Sequence, residues 1–570
     1  MEKGKGRRLV ILSLLLIVGL SGYLRLSGIT WGMNGAAGIW LKPFRGGAGY
    51  GHYLSFHPDE FISVRGMWPI NLLAGKLKAP DAYFEGTFNY YLWAVPRMLY
   101  DLHSGKGLVP RQTLSTDELK IILLSGRLMS VAFDLAALVF LFAIISELTN
   151  QRLAAVLGAL LYGIFPMQVI YSHFMRTYAL ANLLCVLVIW LSLKALKHRH
   201  WWLFVITGVA AGLAAATRYP AGLVLSIPCA LVLFQGQATK EPWRQRFGKS
   251  FVYLLSGPLW LLVSGFVLGL FVGEPMLFLD FRKVVDAILY EASYYAPPGA
   301  RNPFDLTPIW KYISVLIPHA TYPVLWLVIY LSTIYVISRR SLWPIVVPLC
   351  LFVALYTYSM AKGYMNAFAR LAMVLLPVFC IFAGLAWGEI FPKIIKRPLV
   401  FRLAMIVMVL LIVPSIVFDW AYDRAMKRRD VRELLRNDMR DLIKDDSATT
   451  IAVSNEGCYF YTAMPAVLPL KSKSNNVAVQ LESSSVTPAD FLVIGFERPL
   501  AENSREATIR KVESGGTFRF MKAYSRVPTI FGKPVDLSQF PPDMTYPFSA
   551  ILLFRKVTDP YKDVEKTDDI

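Results

Sequence analysis

The residues best suited to chemistry fall into three groups. The first is "SFHPDEF", residues 55–61, which sets His57, Pro58, Asp59 and Glu60 side by side between two phenylalanines. A carboxylate held against a substrate hydroxyl serves as a general base, and an adjacent acid tunes its pKa. His57 is placed to orient Asp59 or an anion. Paired carboxylates also suit Mg²⁺ or Mn²⁺, so a divalent cation at Asp59 and Glu60 stays open as the one cofactor to consider. A plainer reading competes with this one. Proline favours the first helical position and acids in the first turn complement the helix dipole, so a helix starting at Pro58 would choose the same residues.

The second group is five cations: Arg127, Arg176, Arg218, Lys362 and Arg370. Each lies singly at one end of an apolar run, beside aromatic or small residues. Snorkelling to the bilayer surface accounts for any one of them. Five at the same depth point to a shared anion such as a lipid phosphate, which arginine forks match bidentately. The third group lies in the loop at about 273–311, where Glu274, Asp280, Glu291, Tyr294 and Tyr295 are the acids and aromatics that sugar sites use. A bland amphipathic loop would account for most of them as well.

These groups must be positioned by elements in a membrane. The chain has 570 residues, 55% of them hydrophobic and 17% charged, with a mean hydropathy of +0.46. A soluble protein of this size could not keep so much apolar surface out of water, so the composition predicts a polytopic membrane protein. A spanning helix needs about 20 largely apolar residues. About eleven segments qualify, near 9–27, 120–147, 153–171, 178–196, 201–217, 221–235, 250–272, 312–337, 342–360, 368–391 and 398–420. "MEKGKGRR" could lead a signal peptide, but the long first run reads better as a retained helix.

The net charge of +20 is explained by topology rather than by nucleic acid. Alternating the spans from a cytoplasmic N-terminus gathers Lys3, Lys5, Arg7, Arg8, Arg152, Lys197, Arg199, Lys240, Arg244, Arg246, Lys249, Arg339, Arg340, Lys393, Lys396 and Arg397 on one side, the positive-inside pattern. Residues 28–119, the 273–311 loop and the tail from about 421 then lie outside the cytoplasm, the chain being a multi-pass protein of the plasma (inner) membrane. "FISVRGMWPINLLAGKL", after the acidic pair, reads as an amphipathic helix lying along the membrane surface.

In the tail, Val431, Leu434, Leu435, Met439 and Leu442 recur at helical spacing. "TTIAVSN", "DFLVIGF" and "AILLFRKV" read as strands, giving a small α/β domain over 421–570 behind a membrane domain over 1–420. Cys185, Cys229, Cys350 and Cys380 fall in apolar runs and Cys458 in the tail, with no disulfide or metal framework.

Taken in order, the acidic pair, Arg127, "SHFMRTYAL", "ATRYPAG", "GEPMLFLDF" and "KGYMNAFARLAMVLLP" resemble the GT-C glycosyltransferases that use polyprenyl-phosphate sugars. The chain is most similar to the bacterial and archaeal relatives of protein O-mannosyltransferases and aminoarabinose transferases. The likeness covers roughly 1–420, and the tail resembles the small extracytoplasmic domain often attached to such enzymes. It implies that Asp59 is the catalytic acid residue with Glu60 beside it, and that the donor is a polyprenyl-phosphate sugar. The acceptor would be a protein, lipid or glycan hydroxyl. Asn182 stands where many protein mannosyltransferases keep an acid. Two other readings remain: a lipid or sugar transporter without catalysis, and a ligase or polymerase of lipid-diphosphate glycans.

Overall fold

The structure is a computed structural model that describes residues 2–33, 57, 59–79, 83–105, 115–235, 257–295, 305–363, 368–443, 449–454, 467, 477–481, 489–496 and 498–557. Pro58, Lys240, Arg244, Arg246, Lys249 and Cys458 lie outside the described residues, as do the side chains of Lys3, Lys5, Arg7, Tyr294 and Tyr295. The chain divides into two compact units. One comprises Met1–Ile29, Ile62–Pro110 and Ile122–Trp420; the other comprises Thr30–Phe61, Arg111–Ile121 and Ala421–Ile570.

The first unit is helical, and apolar helices occupy all the segments expected to span. Five helical stretches are long and apolar enough to cross a bilayer: Asp117–Thr149, Tyr178–His198, Arg340–Lys362, Ala369–Ile394 and the one beginning at Pro398. Four shorter apolar helices, Val10–Leu26, Trp201–Thr217, Tyr219–Leu233 and Gly257–Gly273, cover the other straight segments. Two expected spans are not straight. Arg152–Gly163 and Pro166–Ser172 meet at 56°, and Thr307–Thr321 and Pro323–Ser338 meet at 117°. The sharper bend falls at Tyr322, whose φ of 73° no helix accepts, directly before Pro323.

Close backbone approach holds one helix pair together. Gly208 and Gly212 on Trp201–Thr217 face Gly265 and Gly269 on Gly257–Gly273, and a methyl added at any of the four would strike the partner helix's backbone. Small residues four apart on both helices permit this contact, and lipid offers no competing hydrophobic drive. A buried ion pair links three more helices. Arg25 Nε donates to Asp134 Oδ2 at 2.6 Å, Arg25 Nη1 donates to Gly163 O at 2.7 Å, and the Tyr162 hydroxyl donates to Asp134 Oδ1.

The helix after the acidic pair is shorter than the sequence predicts. It begins at Glu60, not Pro58, and stops at Met67. Pro69 offers no amide hydrogen to continue it, and Asn71 and Lys76 instead pair their backbones around a tight turn closed by Gly75 at φ 65°.

The second unit contains a five-stranded sheet in the order 477–481, 449–453, 491–496, 550–556, 518–524. The first three strands run parallel and the last two pair antiparallel. Helix Val431–Leu442 is capped by Asp430, whose side chain accepts from the Arg432 amide at 2.8 Å. It buries Val431, Leu435 and Met439 against Ile451, Val493 and Leu553 on one face of the sheet. Helix Glu502–Glu513 offers Ile509 and Val512 to the other face. The three expected strands are present. Val477–Leu481 and Phe518–Tyr524 are strands that the sequence reading did not name.

Candidate active site

The first unit draws three of the five cations into one buried network, and the residue at its centre was not singled out from sequence. Glu85 Oε1 accepts from Arg176 Nη2, and Arg218 Nη1 lies 3.6 Å from the same oxygen. The Tyr90 hydroxyl donates to Glu85 Oε2 at 3.0 Å. Burial first, and then the adjacent Glu85 charge, push the Tyr90 phenol well above its ordinary pKa, so it remains a donor. Arg176 Nη1 reaches Ser63 Oγ at 3.3 Å, and Ser63 donates to Met175 O at 2.7 Å.

The network continues through aromatic rings. The Arg218 guanidinium lies 4.2 Å over the Tyr178 ring, Tyr178 meets Tyr171 edge to face at 5.2 Å, and Arg370 Nη1 donates to the Tyr171 hydroxyl at 3.0 Å. Arg370 also covers the Phe368 ring at 4.0 Å. Stacking against ring faces fixes the guanidinium planes, which a flexible lysine could not match.

Local sequence sets these positions. Arg176 lies in the irregular turn between Pro166–Ser172 and Tyr178–His198. Arg218 caps the C-terminal end of Trp201–Thr217 in extended conformation, before Pro220 turns the chain. Arg370 is the second residue of a 3₁₀ stretch, Ala369–Leu375, that leads into a spanning helix. Two other cations are tied to main-chain oxygens: Arg127 Nη1 donates to Ile29 O at 2.6 Å, and Lys362 donates to Asp305 O.

Glu274 supports the same region from beneath. It is fully buried, its Oε2 accepts from the Thr87 amide at 2.6 Å, and Thr87 Oγ1 donates to Gly273 O at 3.1 Å. Its other oxygen has no hydrogen-bond partner among the described residues. Burial pushes its carboxyl up to about 8, against the opposing pull of the Thr87 bonds. Glu274 therefore fastens the turn at Gly86 and Thr87, next to Glu85. Gly86 has φ 104° and leaves no room for a side chain against Ala216. Asp280 lies at the end of Met276–Leu279 and pairs with Lys283 Nζ at 2.8 Å.

His57, Asp59 and Glu60 belong to the second unit. His57 Nδ1 accepts from the Asp59 amide at 3.1 Å, and its ring stands edge-on to Tyr546 at 5.1 Å. This tautomer-fixing bond holds the backbone that precedes helix Glu60–Met67. Glu60 is fully buried and Asp59 partly so. Among the described residues, no group of three or more His, Cys, Asp or Glu side chains is placed to hold a metal ion. Asn182 Nδ2 donates to Gln168 Oε1 at 3.0 Å, deep among the helices.

Residues 122–268 match the family of dolichyl-phosphate-mannose-protein mannosyltransferases. That stretch holds Arg127, Arg176 and Arg218, and stops short of Glu274 and Arg370. No curated protein matches the chain. Among solved structures, ArnT from Cupriavidus metallidurans bound to undecaprenyl phosphate is similar at 11% identity and a TM-score of 0.43, over 96% of this chain and 98% of that one. The apo form of the same protein is similar at 12% identity and a TM-score of 0.41, over 97% and 98%. Superposition at that level carries no residue roles from one chain to the other.

Proposed function

We propose that the protein is an inverting glycosyltransferase that moves a sugar from a polyprenyl-phosphate donor to an acceptor hydroxyl on the outer face of the membrane. The observation that carries this reading is the buried network joining Arg176, Arg218 and Arg370 through Glu85, Tyr178 and Tyr171. Two of its three cations fall inside the stretch that matches the mannosyltransferase family. Guanidiniums preoriented by ring stacking and a carboxylate suit a phosphate whose charge grows as its bond to the sugar breaks.

In this reading Asp59 takes the acceptor's hydroxyl proton while that oxygen forms a bond to the anomeric carbon. The bond from that carbon to the phosphate oxygen breaks, its electron pair leaves with the phosphate, and the anomeric centre inverts. Glu60 adjoins Asp59, and His57 holds the Asp59 backbone. General-base assistance contributes on the order of 10²–10⁴-fold, and charge stabilisation at the leaving phosphate a similar factor. Glu274, Asp280, Tyr294 and Tyr295 are the residues proposed near the sugar, Glu274 acting through the Thr87 turn.

Mass spectrometry of native lipids that co-purify with the full chain tests the donor class. A polyprenyl-phosphate hexose or pentose supports the proposal. A lipid-diphosphate glycan in its place would point to a ligase or polymerase and overturn it.

A further inference from the structure

A cavity of about 640 Å³ lies in the first unit, and none of its lining residues belongs to the guanidinium network. Lys76, Leu77 and Lys78 form one wall, and Met276, Leu279 and Asp280 form the other. Lys76 and Lys78 sit two apart in one short stretch of backbone, and both line the cavity. That backbone is rigid: Asn71 and Lys76 exchange amide bonds at 2.8 and 2.9 Å, and the Tyr91 hydroxyl donates to Leu77 O at 3.0 Å. Among the described residues neither lysine has a carboxylate partner, and the only acid in the wall, Asp280, is compensated by Lys283. The cavity is therefore cationic.

Its depth in the membrane follows from the chain. Helix Gly257–Gly273 carries no charged residue, and Met276 comes three residues after it ends, at the level where lipid headgroups begin. Large apolar side chains are exposed beside the lysines: Leu73 at 72%, Leu279 at 69% and Phe281 at 63%. Cations over exposed alkyl and aromatic groups match a lipid whose phosphate is anionic and whose tail is apolar.

We propose that this cavity seats one anionic phospholipid, its phosphate between Lys76 and Lys78 and an acyl chain along Leu77, Met276 and Leu279. Its phosphate seat is the lysine pair and not the guanidinium network, and it takes part in no bond-making step; Asp280, in the opposite wall, is the one residue it shares with the sugar site proposed above. The test uses the delipidated full chain in detergent, titrated with dioleoyl phosphatidylglycerol or dioleoyl phosphatidylcholine, with bound lipids counted by native mass spectrometry. The wild type should retain one more phosphatidylglycerol than Lys76→Glu/Lys78→Glu, and affinity for that lipid should fall about thirtyfold, each lysine contributing about a factor of five. Phosphatidylcholine binding should be the same in both. Lys76→Gln/Lys78→Gln serves if the charge-reversed chain misfolds, and Leu279→Asp should lose the same lipid. Equal retention of phosphatidylglycerol by wild type and folded variants would overturn the proposal. So would wild-type binding of phosphatidylcholine as tight as that of phosphatidylglycerol, or displacement of the lipid by millimolar inorganic phosphate. The readout is a bound lipid and not sugar transfer, so it stands or falls independently of the catalytic reading.

Discussion

Glu85 is the residue on which the cation network turns, since its carboxylate meets Arg176, Arg218 and Tyr90 together. Removing one member of a buried ion pair is far more damaging than exchanging both, because the remaining charge stays desolvated. Glu85→Gln should therefore destabilise the detergent-solubilised protein by about 3–5 kcal/mol, read as a lowered midpoint of thermal unfolding. An unchanged midpoint would show that Glu85 does not compensate the two arginines. Glu274 supports a pH prediction. Its folded carboxyl titrates near 8, above its ordinary value of 4.5, so between those values the folded state holds a proton that the unfolded state has released. Stability from this group is full below about 4.5 and lost as pH rises towards 8. Glu274→Gln should flatten that decline, as measured by melting temperatures from pH 5 to 8; an equal slope in both proteins would count against it. The arginines were legible because cations at the ends of apolar runs are rare. Glu85 was not: "YFEGTF" has one acid among aromatics, and nothing in its spacing links it to positions 91 and 133 residues away. An acid flanked by aromatics was the available signal.

Among the elements, the apolar runs were legible because the bilayer demands them, and every expected segment carries an apolar helix. Their bends were less so. A run such as 312–337 is continuous in hydropathy, yet Tyr322 and Pro323 turn it by 117°. The helix expected after the acidic pair ends at Met67, because its apolar periodicity continues past a proline that its hydrogen bonds cannot. In the second unit Phe518–Tyr524 is an edge strand whose exposed Arg519, Met521 and Lys522 dilute its apolar signal, and Val477–Leu481, the opposite edge, is only five residues long. The paired glycines of Trp201–Thr217 and Gly257–Gly273 give the clearest test of packing between elements. Gly212→Leu should cost on the order of 1–3 kcal/mol or more by forcing the helices apart, visible as loss of monodisperse protein on size-exclusion chromatography. A monodisperse, equally stable Gly212→Leu protein would contradict this account of the contact.

For the whole molecule, topology decides what the site can reach, and the account requires the tail from 421 outside the cytoplasm. Asp490, at the head of the strand Phe491–Phe496, is a suitable reporter. In a variant lacking Cys458, Asp490→Cys should react with a membrane-impermeant thiol reagent on intact cells; protection there would mean a miscounted span. Composition and the cation pattern made the polytopic class legible, since no other arrangement keeps this much apolar surface from water. The assignment of segments 30–61 and 111–121 to the second unit was not, because they carry no compositional boundary. Asparagine at position 59 keeps the shape of the side chain and removes its basicity. With purified full-length protein and a polyprenyl-phosphate sugar, Asp59→Asn should bind donor like the wild type while turnover falls by about two to four orders of magnitude. If Asp59 only starts a helix, the change would cost on the order of 1 kcal/mol of stability and leave turnover near normal. Near-normal turnover by folded Asp59→Asn would contradict the mechanism.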